Sequence, residues 1–436
     1  MVRQYAIRLM GREITPRFEL ATWLWSVLIF TYFFLLGFPR LFTISAAILF
    51  VLGIVRLVAA LREYGISGMP AAYRNFVGLF LCLWLPLLLS LTDARYMHEA
   101  AADTLKILAY FFVGFSCVWL ARERNVAQPV VIFLTGLALF WALDVIFQRT
   151  VGFDVFGVDY VAHSEDRAGA YFKNAAKFGT YLACMSVIAM YYLAPRIRVA
   201  TLALVVAIFA IGLVVSMTRT AWFIFIIFAA PVVLIYIVKP VRHAWLGLVI
   251  FLLIGAAAVY GLYEYDAVFH RRMQRSLAFM DGMTYDNWNT VLTYRLDLWS
   301  VSLKMISEHW LNGLGLNAFT VDFNSYTSSP YWSGVQPSHE HQYLLQVMNA
   351  AGLFGLLGIL GVHVLLFRVW RRSAVRGAAA FPLMMYLFAM WFPLGSHFSF
   401  YSSEWVWANL MVLGLIVGSL DARPVQNRGS SLVSTL

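Results

Sequence analysis

The sequence predicts an all-α polytopic membrane protein with about twelve transmembrane helices, and three observations carry that prediction. Hydrophobic residues make up 61% of the 436-residue chain and charged residues only 12%, roughly half the charged share of a soluble domain. Mean hydropathy is +0.75. The apolar residues also fall in charge-bounded runs of the length a bilayer demands, about 20 residues per helix. Disorder, a collagen-like rod and a disulfide scaffold are excluded by the same composition.

In chain order the runs place spans near 20–37, 41–61, 75–92, 103–121, 129–147, 175–194, 199–216, 219–238, 243–263, 343–367, 379–396 and 402–420. Arg3, Arg8, Arg12 and Arg17 precede the first run, which lacks a small-residue cleavage site, so it is expected to be retained as a span and not removed as a signal peptide. Cys82, Cys117 and Cys184 lie within apolar runs and read as small hydrophobes. With a cytoplasmic N-terminus, the inner connectors carry Arg62 and Arg74, Arg122 and Arg124, Arg196 and Arg198, Lys239 and Arg242, then Arg368, Arg371, Arg372 and Arg376. Arg423 and Arg428 end on the same side, so the net charge of +10 reads as membrane orientation and not as a nucleic-acid surface.

Both long connectors, 148–174 and 264–342, then face outward, into the periplasm of a Gram-negative cell. The chain divides accordingly into a nine-span bundle over 1–263, a long outer loop over 264–342, and three spans with a cytoplasmic tail over 343–436. Within the long loop, 294–310 sets Leu296, Trp299, Leu303, Ile306 and Trp310 at helical spacing, with Arg295, Asp297, Lys304 and Glu308 elsewhere. That pattern suits an amphipathic helix on the bilayer surface, or a loop helix packed on its neighbours.

Long outer segments are translocated regardless of charge, so their polar residues are the candidates for chemistry. Arg167, Arg219 and Arg295, with Arg271, Arg272 and Arg275, are outer-side guanidinium groups that suit bidentate binding of a diphosphate. Arg219 stands between two strongly apolar helices, where a charge lines a cavity, meets a partner or snorkels as an anchor. Arg271, Arg272 and Arg275 suit anionic lipid head groups equally well. Before the tenth span comes Pro337-Ser338-His339-Glu340-His341-Gln342, where a histidine can serve as general base or play a structural part. No third ligand stands at a metal-binding spacing, and no cofactor is expected. Gly352, Gly355, Gly358 and Gly361 form a small-residue packing stripe. The Asn312-Gly313-Leu314-Gly315-Leu316-Asn317 turn is a weak phosphate-cradle candidate, and Asp144 and Arg56 within spans mark either a polar pathway or internal pairing.

These residues resemble the bacterial O-antigen ligases, within the O-antigen ligase and polymerase-like membrane glycosyltransferases. The signature of that family is His followed by Asn, Ser or Gln, nine residues, then Gly, two residues, and Gly, Thr or Tyr. Here His341-Gln342 is followed by nine residues, 343–351, and by Gly352-Leu353-Phe354-Gly355. Tyr294-Arg295-Leu296-Asp297-Leu298-Trp299, Gly313-Leu314-Gly315 and Met217-Thr218-Arg219-Thr220-Ala221 are similar to other recurrent stretches of the group.

The resemblance implies a GT-C-like inner-membrane enzyme that moves polysaccharide from undecaprenyl diphosphate to a sugar hydroxyl of lipid A-core. It implies inversion at the anomeric carbon, no metal, His341 as base with His339 its neighbour, and Arg219, Arg295 and then Arg167 on the diphosphate. Glu340 keeps a retaining route open. Lateral openings to the outer leaflet, roofed by the long loop, are expected for two lipid-tailed substrates. A polymerase would use the same donor but usually shows two comparable loops, whereas one dominates here. A protein O-oligosaccharyltransferase usually continues further past its last span, and a secondary transporter should show two matching halves with broken helices.

Overall fold

The computed structural model describes residues 19–38, 40–160, 167–239, 244–373, 378–393 and 398–421. The four N-terminal arginines, Arg242, Arg376, Arg423 and Arg428 lie outside these segments. Among the described residues every regular element is a helix, and each predicted span is occupied by one. They are α1 (Leu20–Phe34, continued by a 3-10 turn Leu35–Gly37), α2 (Phe42–Tyr64), α3 (Ala71–Ser90), α4 (Met97–Arg124), α5 (Ala127–Val151) and α6 (Ala175–Leu193). There follow α7 (Val199–Val215), α8 (Arg219–Val232, ending in a π turn Val233–Val238) and α9 (Ala244–Tyr265). The long loop contributes α10 (Ala267–Leu277), α11 (Tyr285–Val291), α12 (Arg295–Glu308) and α13 (Ala318–Tyr326), and α14 (Tyr343–Arg372), α15 (Ala380–Met390) and α16 (Ser403–Leu420) close the chain.

The protein is therefore an all-α polytopic membrane protein. Among the described residues eight helices are long and apolar enough to cross a bilayer: α1 with its turn, α2, α3, α4, α5, α8 with its π turn, α14 and α16. The α7 and α15 helices are apolar but shorter, at 17 and 11 residues. Helix α6 carries Thr180, Tyr181 and Ser186 and is buried along nearly its whole length, so neighbouring helices and not lipid solvate it. At the centre, α16 packs along α4, which also holds α2, while α6 touches α5, α8 and α15.

Contacts between connectors sort them into two ends. Thr22 donates to the Arg124 carbonyl, the Ala72 amide to Asp421, and Ser373 to the Leu420 carbonyl, and Arg122 pairs with Asp421. These are all segments expected on the inner side. At the opposite end Arg95 N bonds Leu314 O, Asn312 bonds Asp93, Arg149 pairs with Asp266, Lys177 with Glu404, and Gln346 bonds Ser399. For these connectors the two ends sort as the alternation of basic residues predicts.

Asp144 and Arg56 mark no shared pathway. Asp144 accepts the Val155 amide at 2.9 Å, tying down the loop after α5, and Arg56 lies over the Trp119 ring at 3.7 Å. Of the glycine stripe, Gly358 and Gly361 pack against α3, as expected. A Cβ at Gly358 would lie 2.1 Å from the Cys82 carbonyl oxygen, a distance no side chain tolerates. Gly352 instead breaks the helix, with φ 58° and ψ −151°, a conformation open to glycine alone without strain.

That break is where the long loop docks. Leu353 N bonds Trp310 O at 2.8 Å and Leu314 N bonds Asn349 O at 2.7 Å, so the 312–317 turn seals the kink in α14 and cradles no phosphate. A separate small core of Leu298, Val301, Met305, Leu314, Ala318, Phe319 and Phe323 holds α12 against α13. The amphipathic reading of α12 is corrected by this packing. Its buried face runs through Leu298, Val301 and Met305, with Ile306, while Leu303 and Trp310 are more than half exposed. Asp297, placed on the polar side by spacing, is buried and accepts from Tyr285 and Ser329. Loop packing, which period alone does not report, chose the face.

Gly358→Leu is expected to force α14 from α3 and lower the unfolding temperature in detergent, a loss of about 1–3 kcal/mol. Gly255→Leu on α9, where an added carbon meets nothing within 4 Å, is the control, and equal melting curves for the two would refute the contact.

Candidate functional site: a cation-lined cavity beside a histidine turn

Two short turns place the first cation. The connector between α7 and α8 is three residues long and fully buried at Met217 and Thr218, with Met217 in the left-handed region at φ 53°. Arg219 is the first residue of α8, and its guanidinium donates to Ser276 Oγ at 3.0 Å and Thr293 Oγ1 at 2.6 Å. These two hydroxyls, from α10 and the turn before α12, hold the group without neutralising it.

Arg295 is likewise a first residue, that of α12. Thr293 and Tyr294 both adopt positive φ of 58°. The turn is fastened by the Tyr294 amide to Asn289 O at 2.7 Å, by Trp332 Nε1 to Tyr294 O at 3.1 Å, and by the Tyr294 ring stacked on Tyr331. Two helix N-termini thus converge, and each adds the positive end of its dipole to the charge it carries. Arg167 comes from the connector before α6. Gln148, buried on α5, accepts the Gly169 and Ala170 amides through Oε1 and so clamps that connector.

Arg167, Arg219 and Arg295 line one cavity of about 310 Å³ together with Lys173, Arg272, Thr218, Thr293, Trp332 and His341. Among the described residues five cations stand in its wall and no carboxylate does. Burial, with the charges of Arg219 and Arg167, pulls the Arg295 guanidinium down to about 10, still protonated at neutral pH. A like-charged cluster of this kind is stabilised most by an anion whose oxygens it can share.

The sequence reading had grouped Arg272 with Arg271 and Arg275 as candidate head-group ligands and had not singled out Lys173. Arg272 points into the cavity and Arg271 is exposed. The signal was present in helical spacing, since Arg272 and Ser276 are four apart on one face of α10 and Ser276 is the residue that holds Arg219.

The histidine segment is divided by the fold. His341 has φ 54°, an uncommon conformation for a non-glycine residue. Gln342 follows as the N-cap of α14, accepting the Leu345 amide at 2.6 Å. His341 lines the cation cavity, whereas His339 and Glu340 line a neighbouring one, and the two histidine rings lie 4.0 Å apart between centroids. Ser338 Oγ bonds His339 Nδ1 at 2.8 Å. Glu340 is 2% exposed and accepts from Asn349 Nδ2, away from the cation cavity where a carboxylate nucleophile would have to stand.

Inorganic pyrophosphate is expected to raise the unfolding temperature of the solubilised chain at low salt, because a ligand of the folded state stabilises by mass action. Arg295→Ala and Arg219→Ala should shrink the shift, and an undiminished shift in both would place the anion elsewhere. Glu340 supplies a second test. Burial raises its carboxyl from 4.5 to about 7, so the fold keeps a proton that the unfolded chain releases. Its contribution is present below 4.5 and is lost as pH rises to about 7, on the order of 3 kcal/mol. Glu340→Gln should therefore gain on the wild type between pH 5 and pH 8 in unfolding temperature, and a constant gap between them would refute the assignment.

No curated protein matches the chain. Residues 203–360 match the family model described as O-antigen ligase, an interval that holds Arg219, Arg272, Arg295, His339 and His341 but not Arg167. The match indicates activity of the O-antigen ligase or polymerase type, in coarse terms glycosyl transfer by a multi-pass membrane protein. Over that interval, about a third of the chain, which carries Arg219, Arg272, Arg295 and the histidine turn, the protein is similar to the O-antigen ligase family.

Proposed function

We propose that the protein is an O-antigen ligase of the bacterial inner membrane, transferring O-antigen polysaccharide from undecaprenyl diphosphate to a sugar hydroxyl of lipid A-core at the periplasmic face. The observation that carries this reading is the convergence of Arg167, Arg219, Arg295 and His341 on one cavity. Arg219, Arg295 and Arg167 hold the diphosphate, joined by Arg272. His341 takes the proton of the acceptor hydroxyl as its oxygen attacks the anomeric carbon. The bond from that carbon to the diphosphate oxygen breaks, and undecaprenyl diphosphate leaves with its growing charge against the guanidinium groups. One direct displacement inverts the anomeric centre and needs neither metal nor cofactor. On this reading the end of the bundle bearing the long loop is the periplasmic one, the fold is GT-C-like, and the reaction runs at the periplasmic surface. A polymerase would use the same cavity for the same donor, and only the acceptor separates the two.

A strain lacking the gene is expected to lose the whole lipopolysaccharide ladder while long polymer accumulates on undecaprenyl diphosphate. Core carrying a single repeat would make the protein the polymerase, and an unchanged ladder would sink both. Restored with His341→Ala, transfer should fall by about 10²–10⁴, and with Arg219→Ala or Arg295→Ala by about 10²–10³, all with normal membrane insertion. Wild-type transfer by purified His341→Ala would end the general-base assignment.

A further inference from the structure

Beside the cation cavity lies a second one of about 260 Å³, and the two meet at the histidine pair: His341 lines the first and His339 the second. Their linings differ in kind. The second contains no arginine, and Asp103, its partner Lys106, Tyr110, Glu340, Asn349 and Ser403 give it hydroxyl, amide and carboxyl groups beside aromatic rings. That is the chemistry of a neutral, hydroxyl-rich ligand.

The wall also holds polar atoms without a partner. Asn349, 3% exposed, gives its Nδ2 to Ser302 and Glu340, yet its Oδ1 accepts no hydrogen bond. Ser402 Oγ is buried and unpartnered on the same wall. A buried polar group left so is costly, and a ligand hydroxyl recovers the cost. Lys106 in this wall is paired with Asp103, whereas the other cavity gathers four arginines and a lysine, so charge favours the diphosphate there and a neutral ligand here.

We propose that this second cavity is the acceptor-sugar subsite, binding the ring of lipid A-core whose hydroxyl is presented across the His339–His341 pair to the donor. The proposal rests on the ligase reading and adds to it the place of the acceptor. Asn349, Ser402 and Glu340 orient the ring by hydrogen bonds, and His341 stays the group that faces both ligands.

Maleimide labelling of two single-cysteine additions tests this in the full-length chain, with unmodified protein giving the background from Cys82, Cys117 and Cys184. Ser403→Cys reports on the second cavity and Lys173→Cys on the cation cavity. Core oligosaccharide freed of lipid, at ten times its dissociation constant, is expected to slow labelling of Ser403→Cys by about tenfold and to spare Lys173→Cys. Undecaprenyl diphosphate should do the reverse. In transfer assays Asn349→Leu should raise KM for lipid A-core with the donor KM unmoved, and Asn349→Ser, which keeps an acceptor oxygen, should recover part of it. Core oligosaccharide that protects Lys173→Cys alone, or protects neither position while the wild type still transfers polysaccharide, overturns the subsite and leaves the ligase reading standing. A wild type that transfers nothing to lipid A-core sinks that reading, and the acceptor assignment falls with it.

Discussion

The arrangement depends on holding five cations around one cavity with no carboxylate among the described residues of its wall. Such a cluster repels itself, and burial aggravates this, as the lowered Arg295 shows. Neutral groups do part of the fastening. Ser276 and Thr293 take the donors of Arg219, and Gln148 clamps the connector that bears Arg167. A carboxylate in place of either hydroxyl would quench the field and compete with an anionic ligand. The hydroxyl supports order Arg219 without cancelling its charge.

The long loop is the second requirement, since Thr293, Arg295, Arg272 and His341 all come from it or from its end. Its internal core is small, and its hold on the bundle runs through the break in α14 at Gly352. There the backbone of 311–314 bonds a helix end that an unbroken helix would have kept for itself. The spacing from His341 to Gly352 can thus be read as mechanics: His341 reaches the cavity, Gln342 caps the helix, and Gly352 opens it for the loop. The histidine turn then separates two neighbouring side chains into cavities of different charge.

Much of this was legible in the chain. Apolar runs bounded by arginines located every span, because the cost of placing charge in hydrocarbon is set residue by residue. Residue type and outer-side placement made Arg167, Arg219 and Arg295 candidates for binding a diphosphate, together with Arg271, Arg272 and Arg275. Spacing misled on α12, where Leu303 and Trp310 face outward and Asp297 is buried, since a helix with apolar residues on several faces takes its orientation from what packs on it. Spacing also left Arg272 undecided, although Ser276 on the same face shows which way it points.

The sequence by itself determined the helices, their order across the membrane and the kinds of groups available for chemistry, all of which follow from local hydropathy and local charge. Only the tertiary structure decided which groups share a cavity. Arg167, Arg219 and Arg295 are far apart along the chain, and their meeting depends on helix packing and on left-handed turns at Met217, Tyr294 and His341. Those turns are stabilised by contacts made elsewhere in the fold, so no run of neighbouring residues encodes them.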